Sequence, residues 1–236
     1  MEMTEKEMVM WLTYHKEEQL HQYELKEDGM TRLFKGNDIS VEGENINHLN
    51  RFYSEMTTMY WVWKNEMRSL YVGFCHYRRR FTHFMELEAG ECQVMEIVTF
   101  PYSVCQHYKN AHNYNDLYDI VEILDDKYGS GNKYSDYLLN SQTFIPFCSF
   151  IMRYDDFKSL CEFFFPVLFE YDRRHGLNMD ASKYMEKAQS DFRYDNVEYQ
   201  CRAMSFLAER LISCYIVSNM KAVCVKALGM RYGYYD

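Results

Sequence analysis

SLYVGFCHYRRRF, residues 69–81, sets a hydrophobic run directly against three consecutive arginines. The run predicts a buried strand over roughly residues 70–75. Just upstream, RFYSEMTTMYWVWKN (51–65) brings Met56, Tyr60 and Trp63 near helical spacing, with Ser54 or Asn50 able to cap the start. A helix, then a buried strand, then a polar cluster is the grammar of an α/β sheet, whose ligands sit outside the carboxyl ends of its strands. His76, Tyr77, Arg78 and Arg79 fall at that end.

Working outward, MVMWLTYHK (8–16) predicts a first buried strand whose carboxyl end reaches Thr13, His15 and Lys16. Residues 17–50, polar and dotted with Gly29, Gly36 and Gly43, read as a long loop with little regular structure. CQVMEIVTF (92–100) predicts another strand, and residues 103–128 are mostly helical, with Leu117, Val121 and Leu124 spaced to face a core. TFIPFCSFIM (143–152) reads as a β pair or one bent strand, and residues 154–174 as an amphipathic helix kinked or broken near Pro166. Residues 176–199 are polar, and a last strong helix covers residues 198–219. No repeat or linker interrupts the chain, so residues 1–236 are expected to form one domain.

The formal net charge is −9, so the positive charge at Arg78–Arg80 is local and an anion is the natural partner. A nucleic-acid binder needs a basic stripe, and none extends beyond residues 78–80, which excludes that class. The eight cysteines form no C-x-x-C pair and read as reduced thiols packed as small hydrophobes in a cytosolic protein. The N-terminus has no signal-peptide pattern, and no apolar stretch approaches the roughly 20 residues of a membrane span. A cytoplasmic protein, at most peripheral at the inner face of the plasma membrane, is the expectation.

The residues alone leave two readings of each cluster. Arg78 and Arg79 are either solvated loop residues in surface ion pairs of little energetic value, or a diphosphate clamp built from planar guanidinium forks. The aromatic residues of 54–65 suit a core, with Glu55 and Asn65 as its polar rim. Arg202, Phe206 and Glu209 share one face of the final helix, where the carboxylate is either a general base or half of a structural ion pair. His76, His107 and His112 are too scattered for a metal site by spacing, and no P-loop, G-x-G-x-x-G, H-E-x-x-H or G-x-S-x-G is present.

Taken together, GENINHLNRFYSEMTTMYWVWKN, YVGFCHYRRRF and YQCRAMSFLAERL resemble a bacterial family first defined as a domain of unknown function. That family occurs in capsular, exopolysaccharide and O-antigen loci and is classed with glycosyltransferases. Its pattern runs N-I-x-x-x-N, E-L-T-x-x-Y-W-x-W-K-N, G-x-C-H-Y-R-R-x-F, a strand N-M-F-I-M, then R-x-x-G-F-L-x-E-R-L, and TYHK stands where it has a T-H-K-like start. Met56 replaces Leu, Cys148 replaces Asn, and Ser205 replaces Gly.

The resemblance implies an α/β, GT-A-like, Rossmann-type nucleotide-sugar-binding domain with a mixed sheet and flanking helices. It implies a hexosyltransferase that moves a sugar from a UDP-linked, galactose-type donor to a lipid-linked oligosaccharide in capsule, exopolysaccharide or O-antigen synthesis. Glu209 is then the expected base, oriented by Arg202 or Arg210, with His76 beside the reacting groups. Thr13, His15, Lys16, Asn45, Asn50, Glu55, Lys64, Arg78, Arg79 and Arg210 are the residues expected around the sugar nucleotide. Many GT-A enzymes end the central strand in D-x-D and hold a divalent cation there; this strand ends in His76-Tyr77-Arg78-Arg79. Arg78 and Arg79, with Lys16, are therefore expected to replace the metal, the alternative being manganese or magnesium with His76 as a ligand. The competing reading is a non-catalytic nucleotide- or sugar-binding module, or a partner protein of a polysaccharide-synthesis complex.

Overall fold

The computed structural model describes residues 7–81, 83–190, 196–224 and 230–232. Its strands are β1 (Met8–Tyr14), β2 (Thr31–Lys35), β3 (Tyr71–His76), β4 (Arg79–Phe81), β5 (Glu91–Val94), β6 (Val98–Thr99), β7 (Thr143–Phe144), β8 (Phe150–Arg153), β9 (Lys221–Cys224) and β10 (Met230–Tyr232). The central sheet is mixed and runs β2–β1–β3–β8–β5–β9, with β8 antiparallel to both β3 and β5 and the other pairings parallel. β4 turns back from the end of β3 and pairs with β10, while β6 and β7 form a separate two-stranded sheet.

The helices are α1 (Glu18–Gln22), α2 (Asn50–Tyr53), α3 (Met56–Lys64), α4 (Val104–Ala111), α5 (Tyr114–Tyr128), α6 (Lys133–Asn140), α7 (Tyr154–Arg174), α8 (Ala181–Gln189), α9 (Val197–Gln200) and α10 (Ala203–Asn219). The predicted strand at the centre of the quoted stretch is β3, buried on both faces because successive side chains alternate. Val72 and Phe74 enter the large helix-side core, where Phe74 meets Phe157 of α7 at 4.9 Å between rings. Tyr71 and Cys75 point to a smaller cluster with Met8, Met10 and Ile151. Gly73 lies on that second face: a Cβ there would come within 2.5 Å of Met10 Cε and 3.0 Å of Ile151 Cγ1, so the strand pairing leaves no room for a side chain.

Several expectations are corrected. Residues 17–50 are not irregular: they contain α1 and β2, an edge strand whose polar, half-buried TRLFK lacks the apolar run that marks β3. The single helix expected over 51–65 is two, broken at Ser54, whose φ of 48° and ψ of −127° no helix accommodates. The strands expected over 92–100 and 143–152 each divide between the two sheets. The polar segment 176–199 contributes α8 and the start of α9, and the single helix expected over 198–219 is two, α9 and α10, separated by a turn at Cys201-Arg202. The helix over 154–174 continues unbroken through Pro166. Pro166 and Glu162, whose carbonyl loses its partner there, are both exposed, so water completes the missing bond at small cost.

Candidate functional site

β3 and β4 are joined by a two-residue turn, Tyr77-Arg78, with His76 paired to Arg79. The turn distributes the three arginines. Arg78 sits at the tip, Arg79 lies 3.9 Å over the Phe147 ring, and Arg80 leaves on the other side to donate to the Tyr23 carbonyl at 3.1 Å. Strand alternation sends neighbours to opposite faces, so only part of the cluster is available to one ligand.

Two clefts open around this turn. The first, of about 460 Å³, lies at the carboxyl ends of β1 and β3 and is lined by Thr13, His15, Asn50, Tyr77 and the Ser54 kink among others. The second, of about 540 Å³, lies toward α4 and α10; Phe100, Phe144, Phe147 and Phe206 wall it, with Glu96 and Glu209 among its polar groups. Glu55, His76, Arg78 and Arg202 line both and form the partition between them.

The partition is tightly held. Ser54 occupies a backbone region normally left to glycine, a cost of order 1–3 kcal/mol that persists only where the surroundings enforce it. Here Arg202 donates to Ser54 Oγ from Nε at 3.3 Å and Nη2 at 3.1 Å, while Asn50 Nδ2 (3.0 Å) and Thr57 Oγ1 (2.9 Å) donate to the Ser54 carbonyl. The kink turns Glu55 away from capping α3, with which its side chain makes no bond, and toward the clefts. His76 Nε2 lies 3.2 Å from Glu55 Oε1, an ion-pair distance. Burial first, then Arg78, Arg79 and Arg202, lowers the His76 pKa to about 3, so the imidazole beside Glu55 is neutral and the contact is not an ion pair. The Arg78 amide donates to Nδ1 at 3.2 Å, which leaves the ring proton on Nε2, facing Glu55.

In the second cleft Glu209 anchors a turn. Its Oε1 accepts from the Phe147 amide at 2.8 Å, and its Oε2 accepts from Arg210 Nη1 at 2.6 Å. Phe147 and Cys148 both have positive φ, 79° and 49°. Asn tolerates that left-handed conformation better than most residues, which gives a backbone reason for the Asn of the family pattern at the position Cys148 holds.

The structure thus brings Thr13, His15, Asn50, Glu55, His76, Arg78 and Arg202 to the first cleft, and Arg79, Glu209 and Arg210 to the second. Lys16, Asn45 and Lys64 line neither cleft. Lys16 is exposed, Asn45 braces its own loop through the Val41 and Gly43 carbonyls, and Lys64 pairs with Glu44 at 3.7 Å. The W-x-W-K-N part of the signature is a loop staple: Trp61 Nε1 donates to the Glu42 carbonyl, Tyr60 to Glu44, and Asn65 exchanges bonds with the Glu44 backbone. A Cβ at Gly43 would overlap Asn65 Oδ1, so glycine is required there. Sequence reading took Ser54 only as a helix cap and passed over Asn37 and His48 of the first cleft and, Phe206 apart, the phenylalanine wall of the second. The strained conformation of Ser54 has no composition signal: Asn50 and Thr57 hold its carbonyl, and Arg202, distant in sequence, holds its hydroxyl.

His112, stacked on Phe206 at 3.9 Å, is also held neutral: burial and then Arg210 lower its pKa to about 3. Both histidines start from 6.5, so between about pH 6.5 and 3 the unfolded chain binds protons that the folded chain excludes. Their stabilisation is complete above the unfolded value and declines as the pH falls, at about 1.4 kcal/mol per pH unit for each excluded proton. Denaturant unfolding at about pH 7 and about pH 5 measures the decline. His112→Asn is expected to make it shallower; an unchanged slope would mean that His112 is charged in the folded protein.

Among the described residues no helix is long and apolar enough to cross a membrane. The chain is similar in fold to the WbbM bifunctional glycosyltransferase in its apo structure, with a TM-score of 0.68 and 20% sequence identity. The match covers 92% of this chain and 44% of that one, so this chain spans less than half the length of WbbM. The fold is GT-A-like: a mixed sheet flanked by helices, with the clefts at its strand ends. No curated protein matches the sequence significantly. The profile of the domain of unknown function DUF4422 matches residues 32–100 and 87–220, most of the chain, and the protein belongs to that family.

Proposed function

We propose that the protein is a glycosyltransferase that takes a sugar from a nucleoside diphosphate and places it on a glycan hydroxyl. The observation that carries this reading is the partition of Glu55, His76, Arg78 and Arg202 between two clefts that meet only there. Sugar transfer needs two polar substrates in contact at one point, and clefts that share one wall meet that need. The first cleft, at the strand ends of a GT-A-like sheet, takes the sugar nucleotide, with Arg78 and Arg202 neutralising the leaving diphosphate. The second takes the acceptor, whose sugar rings fit against exposed Tyr199 and half-buried Phe100. A UDP-linked, galactose-type donor and a lipid-linked acceptor used at the cytoplasmic face of the membrane complete the reading.

The donor set at the β3 end does not fit a divalent cation. Arg78 and Arg79 stand beside His76 where carboxylates would be needed, and the one carboxylate of the partition, Glu55, faces His76 at 3.2 Å. Among the described residues no group of three or more His, Cys, Asp or Glu is placed to hold a metal ion. Metal-independent transfer is the form of the reaction this donor set supports.

Calorimetric titration with UDP and a panel of UDP-sugars, in EDTA and then in manganese, tests the reading. Binding in EDTA, with sugar transfer to octyl glycosides, is the expected result. Binding without transfer to any acceptor would favour a non-catalytic module, and the absence of nucleotide binding in both conditions would overturn the proposal. Binding only in manganese would refute its metal-independent form.

A further inference from the structure

We infer that Glu55, rather than Glu209, is the catalytic base that takes the proton from the acceptor hydroxyl. This assignment rests on the donor and acceptor reading of the two clefts.

Position comes first. The attacking oxygen must lie within about 3–3.5 Å of the anomeric carbon, and so at the boundary of the clefts. Glu55 lines both clefts, whereas Glu96 and Glu209 line the second alone. Availability comes next. Glu209 has one oxygen on the Phe147 amide and the other on Arg210, so both oxygens already hold structural partners in place. Glu55 Oε1 faces His76 Nε2 at 3.2 Å, and among the described residues neither carboxylate oxygen of Glu55 makes a hydrogen bond. Orientation is supplied by the Ser54 kink and by a His76 whose other nitrogen is taken by the Arg78 amide. The ionisable groups around Glu55 include His15, His76, Tyr77, Arg78, Cys148 and Arg202, on four separate stretches of chain.

The step balances as a single displacement. The acceptor oxygen forms its bond to the anomeric carbon as its proton passes to Glu55 Oε2. The bond from that carbon to the β-phosphate oxygen breaks, and its electron pair leaves with the nucleoside diphosphate beside Arg78 and Arg202. Glu55, now a neutral acid, returns the proton to water when the products depart, and the anomeric configuration is inverted.

The test follows UDP release from the UDP-sugar that titrates best, with octyl galactoside, glucoside and N-acetylglucosaminide as acceptors. Glu55→Gln, which keeps an oxygen for His76, is expected to bind the sugar nucleotide within about threefold of wild type while kcat falls about 10²–10⁴-fold. Glu209→Gln is expected to lower kcat less than about tenfold, acting mainly on Tm and acceptor KM because it loosens the Phe147 turn. A kcat in Glu55→Gln within tenfold of wild type overturns the inference, as does a greater kcat loss in a folded Glu209→Gln. Should Glu55→Gln not fold, Glu55→Asp decides: a kcat drop of about tenfold or more with nucleotide binding intact supports the role, and an unchanged kcat removes it. Wild-type protein that neither binds nor transfers overturns the transferase reading and takes this inference with it, whereas an active wild type with an active Glu55→Gln overturns this inference alone.

Discussion

Arg78→Ala is expected to lower the transfer rate by about 10²–10³-fold, the loss typical of removing one preorganised charge stabiliser from a transition state. Arg78 is at the tip of a hairpin turn, lines both clefts, and lies next to the anomeric boundary. Its charge is placed before the substrate arrives, because the Tyr77 ring lies 5.3 Å from its guanidinium and the backbone amide is fixed on His76. Arg78→Lys is expected to recover only part of the loss, since an ammonium cannot hold two phosphate oxygens through a planar fork. Calorimetry with UDP separates binding from rate. A larger fall in kcat than in nucleotide affinity marks a group that acts on the departing diphosphate, and an Arg78→Ala variant with wild-type kcat and affinity would return the arginine to the solvated-loop reading.

Asp172→Ala is expected to cost about 2–5 kcal/mol of stability, the sum of two buried donors left without an acceptor. Asp172 is 5% exposed and accepts from the Tyr184 hydroxyl and from the Met179 amide at 3.1 Å. Burial pushes the Tyr184 pKa far up, so the hydroxyl stays a donor. Tyr184 in turn lies 3.2 Å from the Tyr53 hydroxyl, and Tyr53 is the residue before the Ser54 kink. The network therefore joins α7 and α8 to the support of Glu55. Calorimetric melting should show a Tm lower by roughly 4–20 °C for a domain of this size, with kcat reduced in protein that remains folded. Asp172→Asn, which keeps one acceptor oxygen, should lose less. A Tm within two degrees of wild type in Asp172→Ala, about the least shift that 1 kcal/mol produces, would show that the network does not hold α8 in place.

The central strand, the sheet class and the helix carrying Phe206 and Glu209 were legible because apolar runs and helical spacing are local signals, whereas the turn that places Arg202 just ahead of that helix was not. β2 was not, since an edge strand needs no continuous apolar run. The division of Arg78, Arg79 and Arg80 was hidden as well, because the tight turn that separates them contains neither Gly nor Asn. Asn65 was legible as something other than core, whereas Lys64, expected around the sugar nucleotide, pairs with Glu44 instead; their common partner, the loop at Gly43 and Glu44, is set by long-range packing. The contact of Glu55 with His76 depends on the Ser54 kink, and no pattern in the neighbouring residues announces a strain that the Asn50 and Thr57 side chains hold together with a distant arginine.

Cys148 and Ser205 line the second cleft and not the first. With the clefts sharing only four residues, the proposed donor and acceptor assignment lets a lineage exchange the molecule it modifies while inheriting the chemistry of its activated sugar. Divergence within the family is then expected to be lopsided: substitutions that change the product gather on the α10 side, and the β1 side drifts only when the sugar itself changes.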